Sequence, residues 1–140
     1  MGHLDGHCLC GSITYECDAD PIATMICHCA DCQHQTGTAF SIIVGVPREQ
    51  LHIHGEPKVF ETFGDDRGAP AYRNFCGDCG SPILSILADD ETVAWIKAGT
   101  LSDTSWLAPQ LELWTDSAQP WARAATPEER PSFPRSPAPA

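Results

Sequence analysis

Cationic residues are scarce: 8 Lys and Arg stand against 19 Asp and Glu, for a formal charge of -11. Such a surface repels phosphate backbones, and no basic patch or interleaving of Lys/Arg with aromatics relieves it, so a nucleic-acid partner is excluded. Also missing is any stretch of about 18 apolar residues, and Met1 to Gly6 lacks the charged-then-apolar pattern of a secretory leader. No membrane association is expected; the chain is expected to be soluble and cytoplasmic, with reduced thiols. There is no G-x-S-x-G elbow, no Gly-rich phosphate loop and no H-E-x-x-H, which removes three common catalytic designs. Solenoid-type repeats are absent too. The 140 residues, 42% apolar and 19% charged, leave one compact globular domain as the expectation.

Cysteine is what the chain has in excess. Its eight copies fall as Cys8-x-Cys10, Cys17 alone, Cys27-x-Cys29-x2-Cys32 and Cys76-x2-Cys79. Disulfide frameworks join distant cysteines, whereas ligands this close let several thiolates converge on one ion at about 2.3 Å. In a reducing compartment the grouping points to zinc. Cys76-Gly77-Asp78-Cys79-Gly80 has the form of a knuckle that supplies two thiolates. Cys8-Leu9-Cys10-Gly11 supplies two more, and together they complete a closed tetrahedral site with a folding role. Cys27, Cys29 and Cys32 then offer three ligands and a fourth position that remains open, the catalytic pattern. The alternative is that His28, His34 or His7 closes this second site as a structural centre. His28, lying between two ligands, is expected to point away from the ion. Cys17 ends an alternating segment with Ile13 and Tyr15 and is assigned to the core.

Short alternating or apolar runs between turn residues predict a mainly β chain, with strands at 12–17, 22–27, 38–46, 51–54, 58–63, 71–76, 82–87, 92–98 and 111–115. A single helical turn is predicted from Ala30 to Gln35, stopped by Gly37. Residues 64–68 and 88–91 are predicted hairpin connections. The domain is expected to span 1–125. Residues 126–140 hold five of the twelve prolines and few residues to bury, so a Pro-rich, disordered tail is expected there. His52 and His54 share a strand face but have no third ligand nearby, which makes a solvated strand the reading. Trp95, Trp106, Trp114 and Trp121 are assigned to core and lid.

These motifs resemble the glutathione-dependent formaldehyde-activating (GFA) family, also called the CENP-V/GFA domain. The resemblance rests on Gly6-His7-Cys8-Leu9-Cys10-Gly11, Cys27-His28-Cys29-Ala30-Asp31-Cys32 with Thr36-Gly37-Thr38-Ala39-Phe40, Phe75 to Pro82, Ala98-Gly99-Thr100-Leu101 and Pro120-Trp121. It implies an Mss4-like (β-tent) fold of antiparallel sheets with zinc-binding turns and two Zn2+ per chain. Cys8, Cys10, Cys76 and Cys79 look like the structural ligands, and Cys27, Cys29 and Cys32 like the catalytic group. The implied activity is that of a carbon-sulfur lyase on a thiol-aldehyde adduct such as S-(hydroxymethyl)glutathione, formed from glutathione and formaldehyde. His28 and His34 are candidate proton relays. His7 and Gln33 depart from the family pattern, and Gln33 removes a positive charge that an anionic substrate would meet. Arg48, Lys58, Arg67, Arg73 and Lys97 are left to meet it. The rival expectation is a non-enzymatic zinc-binding module that holds a protein partner, with both metals closed. A homodimer is compatible with these features, though none of them requires it.

Overall fold

The computed structural model describes residues 2–63, 68–122 and 134–135. Ten strands and one helix follow in the order β1 (Leu4–His7), β2 (Thr14–Cys17), β3 (Ala23–Cys27), α1 (Ala30–Thr36), β4 (Ser41–Pro47), β5 (Leu51–His54), β6 (Lys58–Thr62), β7 (Ala71–Phe75), β8 (Pro82–Leu87), β9 (Asp90–Lys97) and β10 (Leu111–Leu113). The chain is thus mainly β, as expected. A small sheet of order β1-β2-β5 faces a large one of order β10-β3-β4-β9-β8-β7-β6. Every pairing is antiparallel except that of β10 with β3, which is parallel and makes the large sheet mixed. Strand β1 and the true start of β4 at Ser41 were not predicted, while β3, β5 and β8 fall within a residue of expectation.

Side-chain alternation splits the large sheet into two faces with different uses. In one row Leu84 opposes Ile96 and Ile96 opposes Val44; in the next, Ile86 opposes Ala94 and Ala94 opposes Val46. These six pack with Leu4, Ile13, Tyr15 and Cys17 of the small sheet as the core, where Val44, Val46, Ala94 and Ile96 are fully buried. Burying each large aliphatic side chain contributes about 1.5–3 kcal/mol, against about 1 kcal/mol net for a ladder hydrogen bond. The core row therefore sets the register, since a slip of one residue would turn it outward.

The opposite face carries Met25, Cys27, Ile43, Ala71, Arg73, Ser85, Leu87, Trp95 and Lys97, and it is not covered by the small sheet. Gly45 lies opposite Trp95, and a Cβ there would come within 2.7 Å of the indole. Glycine at this position lets the ring lie across the strand. The helix α1 begins where the Cys29 sulfur accepts the Cys32 N–H at 3.3 Å and ends at Gly37, whose φ of 68° closes it in the left-handed conformation. Helix and stop match the prediction. The expected tail falls almost wholly outside the described residues, as do Arg67 and most of the 64–68 connection.

Candidate functional site

The eight cysteines are all free thiols, and seven of them gather into the two expected groups. Cys8, Cys10, Cys76 and Cys79 bring their sulfurs within 4.8 Å of one another. The Cys8–Cys10 and Cys10–Cys76 separations are 3.7 and 3.8 Å, and a tetrahedron with bonds of about 2.3 Å has edges of about 3.8 Å. The donor set thus fits zinc. The turns that carry it also aim hydrogen-bond donors at the sulfurs: the N–H groups of Ile13 and Asp78 reach Cys8 and Cys76 at 3.3 and 3.4 Å. Ser81 Oγ lies 3.2 Å from Cys79, and this hydroxyl, with the Ser81 and Cys10 backbone N–H groups, pulls the Cys79 thiol down to about 5.

Cys27, Cys29 and Cys32 form the second group, again within 4.8 Å. Cys27 ends β3, Cys29 caps α1 and Cys32 sits in its first turn, so a strand end and a helix start place three sulfurs around one point. Hydrogen bonds from Cys27 and Cys29, against burial and with the charges of Lys97 and Arg73 assisting, pull the Cys32 thiol down to about 2. The same sharing, joined by burial, pushes Cys27 up. The group contains no fourth side chain among the described residues. Cys17 is fully buried in the core, as expected.

The three sulfurs line a cavity of about 260 Å3 whose other walls are mostly apolar, including Met25, Ile43, Phe63, Leu87, Trp95 and Trp114. Two buried cations enter it, Lys97 at 6% exposure and Arg73 at 8%. The guanidinium of Arg73 is committed: it donates to Thr62 Oγ1 at 2.9 Å and Gln35 Oε1 at 3.0 Å, and approaches the Cys32 sulfur at 3.9 Å and Asp31 at 4.0 Å. Arg48 instead pairs with Glu91 on the exterior, and Lys58 packs beside Gly77.

One side of the cavity is a strap of residues 113–119. Trp114 is the only non-glycine residue among those described with positive φ, at 59°, a conformation that bulky side chains hold only under constraint from their surroundings. Two ties flank it: the His28 N–H to the Leu113 carbonyl at 2.9 Å and, on the far side, Gln33. Its amide donates to the Ser117 carbonyl at 3.0 Å and the His28 carbonyl at 2.7 Å, and its oxygen accepts from Gln119 at 2.9 Å. Gln33 thus pins the strap to α1.

Neither expected histidine relay lines the cavity. His28 is buried, donating from Nε2 to the Glu112 carboxylate at 2.8 Å and packing edge-on against Phe40, while His34 is exposed on α1. His7 bonds to the Cys8 carbonyl, and His52 and His54 are exposed on β5, as expected for a solvated strand. Trp95 and Trp114 line the cavity, Trp106 packs on the core, and Trp121 is 62% exposed. What the sequence did not single out is the pairing of Lys97 with Ser41. Only strand register brings them together.

A crystal structure of a Rhodobacter sphaeroides protein superposes with a TM-score of 0.58 at 17% identity, covering 78% of this chain and 98% of that one. That likeness is one of fold. A family model described as glutathione-dependent formaldehyde-activating enzyme matches residues 3–117, which takes in both cysteine groups and most of the strap. On that match, the chain belongs to the glutathione-dependent formaldehyde-activating enzyme family.

Proposed function

We propose that the protein is a zinc-dependent carbon-sulfur lyase that makes or breaks a thiol-aldehyde adduct of the S-(hydroxymethyl)glutathione type. The observation that carries this reading is the three-sulfur group, which lines a largely apolar cavity and lacks a fourth protein ligand among the described residues. Cys8, Cys10, Cys76 and Cys79 would hold a structural zinc, and Cys27, Cys29 and Cys32 a second. A zinc ion with an open position keeps an incoming thiol deprotonated near neutral pH.

The chain itself supplies enclosure and orientation. Trp95 and Leu87 floor the cavity and Trp114 walls it, keeping water from competing for the aldehyde carbon. At about 260 Å3 the enclosed space falls below the usual 300–1,000 Å3 of small-molecule sites, so it suits the sulfur and one-carbon end of an adduct, with the remainder of the thiol extending outward. Arg73 offsets the negative charge of the sulfurs from its fixed position against Cys32.

Exchange kinetics between formaldehyde and glutathione, cysteine or 2-mercaptoethanol test the reading directly. The intact protein is expected to carry two zinc ions and accelerate exchange; Cys29→Ser is expected to carry one and return the rate to background. Equal rates for the two proteins would refute the lyase assignment. With cobalt in place of zinc, the spectrum of the second site is expected to shift when thiol is added.

A further inference from the structure

Lys97 is a buried ammonium with too few partners. Its Nζ donates to Ser41 Oγ at 2.8 Å, and among the described residues it has no carboxylate within ion-pair reach and no second acceptor. Lysine is seldom buried this deeply unless paired, and the opposite charges it faces here are those of the Cys32, Cys27 and Cys29 sulfurs. Two of its three N–H donors are free to serve something in the cavity it lines.

Its position is set by the ladder. Lys97 faces Ile43 across β9 and β4, and Ser41 faces Cys27 across β4 and β3. Facing residues on neighbouring strands stand about 5 Å apart at Cβ, so the hydrogen bond to Ser41 holds the ammonium beside the residue directly opposite a sulfur ligand. Arg73, by contrast, is held by Thr62 and Gln35 with its guanidinium against Cys32 and Asp31, which suits it to balancing charge. The two cations therefore have different jobs.

We propose that Lys97 is a catalytic residue that binds the aldehyde oxygen of the adduct, with Ser41 as its positioning residue. The inference rests on the lyase reading above. As the thiolate sulfur forms its bond to the carbonyl carbon, the π pair moves to oxygen, and the Lys97 ammonium stabilises that oxygen and gives it the proton that makes the hydroxyl. In reverse, the amine takes the hydroxyl proton as the carbon-sulfur bond breaks and its electron pair leaves with sulfur. Solvent restores the ammonium after addition.

The test compares Lys97→Met and Lys97→Arg with the intact, zinc-loaded protein in formaldehyde-thiol exchange. Loss of one donor to a developing oxyanion typically lowers kcat about 100- to 1,000-fold, which is the drop expected for Lys97→Met with KM for the thiol little changed. Lys97→Arg is expected to recover part of it. Acetate, a small oxyanion probe followed by calorimetry, is expected to bind Lys97→Met at least about tenfold more weakly than the intact protein. Unchanged kcat in Lys97→Met, or a loss that only tracks a lower zinc content, overturns the proposal and leaves the lyase reading standing. Should the intact protein show no exchange at all, the lyase reading fails. Acetate then decides on its own: equal affinity in both proteins overturns the oxygen-binding role, and Lys97-dependent affinity supports it.

Discussion

The phenol of Tyr15, 2% exposed, ties the small sheet to the end of β9 through one chain of hydroxyls. Thr100 donates to the Lys97 carbonyl at 2.8 Å, so its oxygen is left to accept from Tyr15 at 2.7 Å. Burial pushes the Tyr15 hydroxyl up to about 12, above its ordinary 10. Because the folded state favours the neutral phenol, its contribution is intact below pH 10 and drains away as pH rises to 12, by about 3 kcal/mol at most. Urea unfolding followed across that range is expected to show a steeper loss for the intact protein than for Tyr15→Phe. His28 shows the limit of reading single residues. Its place between two ligands suggested a side chain turned away from the ion, but its partner Glu112 lies 84 residues further along, so burial against β10 was not legible.

Strand β1 went unpredicted because Leu-Asp-Gly-His has one aliphatic residue and a glycine, which is poor strand composition. What makes it a strand is contact. Gly6 lies so close to Thr100 O and the Tyr15 hydroxyl that an added Cβ would sit 2.3 Å from each. Gly6→Ala is therefore expected to destabilise by about 1–3 kcal/mol or more, since backbone and a packed ring must both move. Gly99→Ala, with nothing within 4 Å of its Cβ position, is expected to stay within about 0.5 kcal/mol of the parent in the same thermal melts. The helix α1 was legible because its stop signal is local, a glycine that takes the left-handed conformation. Trp114 and its strap were not, since the strap is tied by His28 and Gln33, more than 80 residues earlier in the chain.

For the molecule as a whole, the two sulfur groups differ in how much chain they cross-link. Cys10 and Cys76 are 66 residues apart and join the β1–β2 hairpin to the end of β7, whereas the second group spans only Cys27 to Cys32. By the loop-closure argument used for disulfides, a link over that distance is worth about 4 kcal/mol, a large part of the 5–15 kcal/mol that keeps a domain folded. Cys76→Ser or full zinc removal is thus expected to unfold the protein, and Cys29→Ser to leave it folded with one zinc. Circular dichroism with metal analysis distinguishes these outcomes; unfolding of both variants alike would refute the division of roles.

From the sequence alone came the mainly β character, the partition of seven cysteines into groups of four and three, and the family. Each depends on spacing within a few residues, and ligand geometry and side-chain alternation act at that range. Tertiary structure decided which face of the large sheet became core and which became cavity. It also decided that Lys97 and Arg73, of the four candidate cations among the described residues, line the cavity with the sulfurs, with Arg73 lying 41 residues from Cys32. Those neighbours are set by strand register, and register is fixed by the apolar row on the far face of the same strands.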